Sequence, residues 1–139
     1  MEELTELYNE LIMEHSMNSY NKKKLDNADY SERGHNPNCG DDITLELKLN
    51  GDIIEDMAFT GHGCAISLSS TSIMIDTLRG KTIDEAKDIM KNYDNMINEK
   101  EYNSDILGDL NVYEDIHLQA NRKKCAFLPF ESLKKVIGE

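Results

Sequence analysis

The dipeptide Asn50-Gly51 constrains this chain more than any other feature, because it stands between two runs that read as β-strands. Before it, Ile43, Leu45, Leu47 and Leu49 alternate with Thr44, Glu46 and Lys48, the period of two expected of a strand with one wet face. Asn-Gly adopts the left-handed backbone that a two-residue hairpin turn requires, so the chain reverses there. The return strand is expected over Asp52–Thr60, with Ile53, Met57 and Phe59 on one parity. Glu55 interrupts the alternation and predicts a bulge or a solvated edge.

A hairpin brings its two open ends within a strand spacing or two of each other. One end carries Asn36-Pro37-Asn38-Cys39-Gly40-Asp41, a turn in which Pro37 fixes φ and Gly40 permits a positive φ. The other end leaves through Gly61-His62-Gly63-Cys64. Cys39, Asp41 and Cys64 are therefore expected as neighbours, although they are far apart in sequence. Thiolates and a carboxylate suit tetrahedral zinc, and thiolates also suit an iron–sulfur cluster. Cys125, the last of the 3 cysteines, is not placed by the hairpin. His62 stands two residues before Cys64 and could reach a metal there. His15, His35 and His117 fall in no ligand spacing and read as surface or capping residues.

The rest of the chain is mostly helical in pattern. Leu4, Leu7, Leu11 and Ile12 recur at helical spacing and predict an N-terminal amphipathic helix. Residues 18–36 read as a loop, with a short edge strand near Asp29–Arg33. Cys64 to about Gly80 is rich in Ser and Thr, a poor helix former alone, and needs tertiary packing to hold it as a helix. Thr82-Ile83-Asp84-Glu85 has the form of a capping box, and a helix follows it through Ile97. A short helix is expected over Leu110–Leu118 and a last one from Arg122–Cys125 to Val136. Strands first and helices after predict an α+β fold: an N-terminal helix, an antiparallel sheet of about three strands, and helices packed on one sheet face. Residues 1–139 read as one domain.

A net charge of −12 makes a nucleic-acid partner a poor expectation. No apolar run is long enough to span a membrane, and the acidic start lacks the pattern of a signal peptide. An odd cysteine count without such a peptide argues for a metal or a reactive thiol, and for a cytoplasmic location. Arg122, Lys123 and Lys124 stand just before Cys125 and could balance an anionic metal site.

Three segments together resemble the U-type iron–sulfur cluster assembly family: Asn36-Pro37-Asn38-Cys39-Gly40-Asp41, Gly61-His62-Gly63-Cys64-Ala65-Ile66-Ser67 and Arg122-Lys123-Lys124-Cys125-Ala126. The resemblance runs from about Leu4 to Val136. The scaffold branch, IscU-type, carries a histidine before the third cysteine and a Leu-Pro-Pro-Val-Lys segment. This chain has Lys124 at that position and no such segment. It is more similar to the SufU-type branch, with Arg-x-Lys-Cys-Ala and a longer stretch between the second and third cysteines.

That resemblance implies zinc held by Cys39, Asp41, Cys64 and Cys125. It implies Cys39 as the acceptor of sulfane sulfur from a SufS-type cysteine desulfurase, a pyridoxal phosphate enzyme, with downstream SUF scaffold proteins as further partners. Arg122 matches the branch's arginine and is expected to line the site or steer the partner. The alternative is a scaffold that builds a transient iron–sulfur cluster on the same residues; a purely structural zinc module is a third reading. Phe130 stands where the family commonly has Trp, which implies a packing change.

Overall fold

The computed structural model describes residues 2–17, 20–37 and 39–138, with backbone alone for residues 2–9. Helix α1 spans Glu2–Met17, followed by strands β1 (Tyr30–Asn36), β2 (Asp41–Asn50) and β3 (Ile53–His62). Helices α2 (Ala65–Leu78), α3 (Ile83–Ile97) and α4 (Ala120–Ile137) complete the chain. The strands form one antiparallel sheet in the order β1-β2-β3. The expected α+β architecture is the one observed. Leu4 and Leu7 lie outside the residues whose side chains are described; Ile12 of α1 is buried.

The hairpin turns at Asn50-Gly51 as expected, with Gly51 at φ 64°. The register steps from Lys48↔Asp56 to Leu49↔Ile54, which leaves Glu55 unpaired as the bulged residue. That extra residue also inverts the parity of the strand before it. Ile54 is therefore buried and Ile53 is 42% exposed, the reverse of the alternation expected from Ile53, Met57 and Phe59. Strand β1 runs further than Asp29–Arg33, because its end at Asn36 pairs with Asp41 across a tight loop. Part of the stretch 18–36 is not free loop either: residues 21–23 bond along the outer edge of β3, through Phe59 N–H to Asn21 O and Lys23 N–H to Phe59 O.

Ile43, Leu45, Leu47, Met57 and Phe59 face one side of the sheet and pack with Ile73, Met74, Ile75 and Leu78 of α2 into one core. Helix α2 survives its hydroxyl content because most of those groups are buried and bonded, several of them to carbonyls of the helix itself. Thr71 Oγ1 donates to Ser67 O at 2.7 Å and Thr77 Oγ1 to Ile73 O at 2.8 Å. The capping box at Thr82 and Glu85 starts α3 as expected. The short helix expected over Leu110–Leu118 is instead 3-10 turns at Gly108–Tyr113 and Ile116–Leu118.

Helix α4 begins at Ala120, earlier than expected, and carries Pro129 within it. Proline has no N–H, so the carbonyl four residues back, that of Cys125, loses its helical partner. Ser70 of α2 lies across it, with Oγ 3.4 Å from Cys125 O. Tyr93 of α3 donates its hydroxyl to Ala126 O at 2.9 Å. Its ring packs on Phe130 with centroids 4.9 Å apart, which gives that position its packing role. On the sheet side α4 sits so close to β1 that a Cβ on Gly34 would lie 2.5 Å from Ser132 Oγ. These contacts fix where Cys125 stands.

Candidate metal centre

Period-two alternation decides the character of two adjacent carboxylates. Asp41 shares parity with Ile43, Leu45 and Leu47 and is fully buried, whereas Asp42 faces out. Asp42 is clasped by Arg33, whose Nε and Nη2 each stand 2.7 Å from a carboxylate oxygen. That hydrogen bonding holds the Asp42 carboxyl below the usual carboxylate range. Among the described residues no cation clasps Asp41 in this way. Its Oδ1 accepts the Cys64 N–H at 2.9 Å and the Ser67 hydroxyl at 2.8 Å. Its Oδ2 is buried with no hydrogen-bond partner among the described residues.

Cys39 lies in the loop between β1 and β2, half-buried, its N–H bonded to Asn36 O at 3.2 Å. Cys125 lies in the second turn of α4 and is buried. The ligand atoms of Cys39, Asp41 and Cys125 all lie within 4.8 Å of one another. Cys64, half-buried, caps α2, where its sulfur accepts the Ser67 N–H at 3.5 Å. It stands at the edge of this cluster rather than within that mutual spacing. Burial pushes the Cys125 thiol well above its ordinary range, and the neighbouring Cys39, Asp41 and Cys64 push it further.

Arg122 is half-buried over the cluster. The charge of a Cys64 thiolate, with lesser contributions from Cys125 and Cys39, raises its already high pKa. Lys124, directly before Cys125, is exposed. His62 is exposed and points elsewhere, its Nδ1 3.2 Å from Gly40 O. His15 bonds Ser72 Oγ at 2.8 Å and so links α1 to α2, a role that no local pattern announced.

Zinc fits these residues on two grounds. An orphaned, buried carboxylate oxygen is costly unless something positive meets it. Here it stands among sulfur atoms, and three thiols with one carboxylate are the donor set of a closed tetrahedral zinc site. Gly63 leaves room for the Ser67–Asp41 hydrogen bond that orients this carboxylate: a Cβ there would collide with Ser67 Oγ and lie 2.7 Å from Asp41 Oδ1. The parts that sequence reasoning missed are the supporting ones. Asn36 is buried, and its Nδ2 donates to Cys125 Sγ at 3.6 Å; Ser67 bonds Asp41; Ser70 meets Cys125 O. Parity with the buried Gly34 was the one local sign for Asn36.

Residues 7–126 match the sequence profile of the NifU-like N terminal domain. The chain belongs to that family. A curated relative in it is the zinc-dependent sulfurtransferase SufU of Bacillus subtilis, 39% identical over 98% of this chain and 92% of its own length. The iron–sulfur cluster assembly scaffold protein IscU of Thermotoga maritima is 30% identical over 94% of this chain and 92% of its own. Among solved structures, a putative iron–sulfur cluster assembly scaffold protein for the SUF system from Fervidobacterium islandicum is 42% identical. It superposes with a TM-score of 0.87, covering 90% of this chain and 92% of that one. That protein thus shares this fold. Among the described residues no helix is long and apolar enough to cross a membrane.

Proposed function

We propose that this protein is a zinc-dependent sulfurtransferase of iron–sulfur cluster assembly, with Cys39 as the sulfur acceptor. One observation carries the reading: the ligand atoms of Cys39, Asp41 and Cys125 converge, and of these three residues only Cys39 is reachable from solvent. The SufU relative supports the same assignment, as does Lys124 in the position where the scaffold branch has histidine.

Cys39, Asp41, Cys64 and Cys125 would hold the zinc. Bound there, zinc keeps sulfur deprotonated near neutral pH and brings no redox chemistry of its own. The buried pair Asp41 and Cys125 anchors the centre, and Arg122 offsets the negative charge that thiolates bring. The donor is a protein-bound persulfide on a pyridoxal phosphate-dependent cysteine desulfurase of the SufS type. The Cys39 thiolate attacks the outer sulfur of that persulfide. A new S–S bond forms at Cys39 Sγ, the donor's S–S bond breaks, and its electron pair leaves on the desulfurase cysteine as thiolate. The sulfane sulfur, with its proton, now rides on Cys39 for delivery to downstream SUF proteins in the reducing cytoplasm.

The test is metal analysis of the purified chain, then mass spectrometry after incubation with desulfurase and L-cysteine. The expected result is about one zinc per chain and one added sulfur on Cys39. Normal stimulation of the desulfurase by Cys39→Ala would end this reading. Anaerobic assembly of a cluster on the same residues, followed by its transfer to an apo-acceptor, would favour a scaffold instead.

A further inference from the structure

We infer that Asn36 is a positioning residue of the metal centre, and that its hydrogen bond to Cys125 helps decide which sulfur can leave. The inference rests on the zinc-dependent sulfur-acceptor reading and deepens it.

The cluster's members differ sharply in the donors that hold them. The buried Asn36 carboxamide gives an N–H to Cys125 Sγ at 3.6 Å. Ser67 gives its backbone N–H to Cys64 Sγ at 3.5 Å and its hydroxyl to Asp41 Oδ1 at 2.8 Å. Cys64 adds its own N–H to Asp41 at 2.9 Å. Among the described residues no N–H or O–H donates to Cys39 Sγ; its neighbours are an acceptor, Asn121 O, at 3.9 Å, and the Cys125 thiol.

An N–H directed at a sulfur withdraws charge from it and fixes its orientation, so a ligand supported in this way is held by the protein as well as by the metal. Cys125 and Cys64 would be held in both ways. Cys39 sits on a hairpin loop, half-exposed, and only the metal would hold its sulfur. A thiolate with undiminished charge that can swing out with its loop is the better nucleophile. The choice of acceptor is thus written into the hydrogen bonds of its neighbours. Asn36 reaches this role because β1 places it on the buried parity, one strand across from Asp41.

Asn36→Leu tests the donor while keeping the branched shape. The full chain is loaded with Zn2+ for one arm and Co2+ for the other. In the parent, iodoacetamide with peptide mapping should label Cys39 ahead of Cys64 and Cys125. The variant should surrender zinc to a chromogenic chelator about tenfold more readily. Its Co2+–thiolate charge-transfer band should move to longer wavelength, because a sulfur without its hydrogen bond is richer in electrons. A purely packing role for Asn36 would not move that band. Should Asn36→Leu fail to fold, Asn36→Ser, which is too short to reach the sulfur, carries the same expectations. An unmoved band with unchanged zinc release overturns the inference, as does a parent in which Cys64 or Cys125 is labelled first. None of these readouts needs a desulfurase. A Cys39 that accepts no sulfur while the band still shifts would therefore sink the functional reading and leave this inference standing. A chain that binds neither ion would overturn both.

Discussion

Asp41 is costly to the fold and belongs to the candidate metal site. Its Oδ2 is buried without a hydrogen-bond partner among the described residues, while Oδ1 holds the start of α2 through Cys64 and Ser67. Asp41→Asn keeps an oxygen for those two donors and removes the charge. The metal-free variant should match or exceed the metal-free parent in urea unfolding, while its zinc affinity falls by more than about tenfold in chelator competition. Cys125 makes a second prediction. Its thiol holds its proton more tightly in the fold than in the unfolded chain, whose ordinary value is 9.0. The stability this contributes is fully present below 9.0 and is lost as pH rises above it, because the unfolded thiol ionises first. Urea midpoints of the metal-free chain should therefore fall above that pH. Zinc uptake must expel the same proton, so apparent zinc affinity should rise with pH, by about tenfold per unit for each proton displaced.

At the scale of elements, what the sequence made legible was local. Alternation, Asn50-Gly51 and the misfit of Glu55 determine the hairpin and its bulge, and the hairpin alone brings Cys39, Asp41 and Cys64 into one neighbourhood. Ile53 departs from the expected parity because the bulge at Glu55 inverts the alternation of the residues before it. Strand β1, Tyr-Ser-Glu-Arg-Gly-His-Asn, has no apolar alternation to read; its pairing with β2 defines it. The site of Cys125 depends on Gly34 against Ser132 and on Ser70 against a carbonyl freed by Pro129, contacts that no window of sequence contains. Those last two residues make a double-mutant cycle. Ser70→Ala should cost about 1–3 kcal/mol, because it strands a buried acceptor. In the Pro129→Ala background the helix supplies its own N–H to Cys125 O, and the cost of Ser70→Ala should shrink. Equal costs in both backgrounds, by thermal or urea unfolding, would show that the two residues are not coupled.

For the molecule as a whole, the apolar core and the candidate metal centre are separate constructions. The core runs through sheet, α2, α3 and α4 without using a thiol. Chelation should therefore leave the helical circular dichroism signal largely intact and lower the melting temperature. The lost stabilisation is about 2.7 kcal/mol where free zinc had stood at a hundred times its dissociation constant. Collapse of the helical signal on chelation would mean that the metal organises the fold, as in a purely structural zinc module.

The three cysteines come from the β1–β2 loop, the cap of α2 and the second turn of α4. A metal gripping all of them would tie the backbone into rings, and ring closure takes freedom from the unfolded chain at a cost that grows only slowly with ring size. Were Cys39 to let go to take up sulfur, as proposed, the rings that pass through residue 39 would open. The ring from 64 to 125 would stay shut. The last helix would then remain stapled to the middle of the chain throughout the handover, and only a hairpin tip need move.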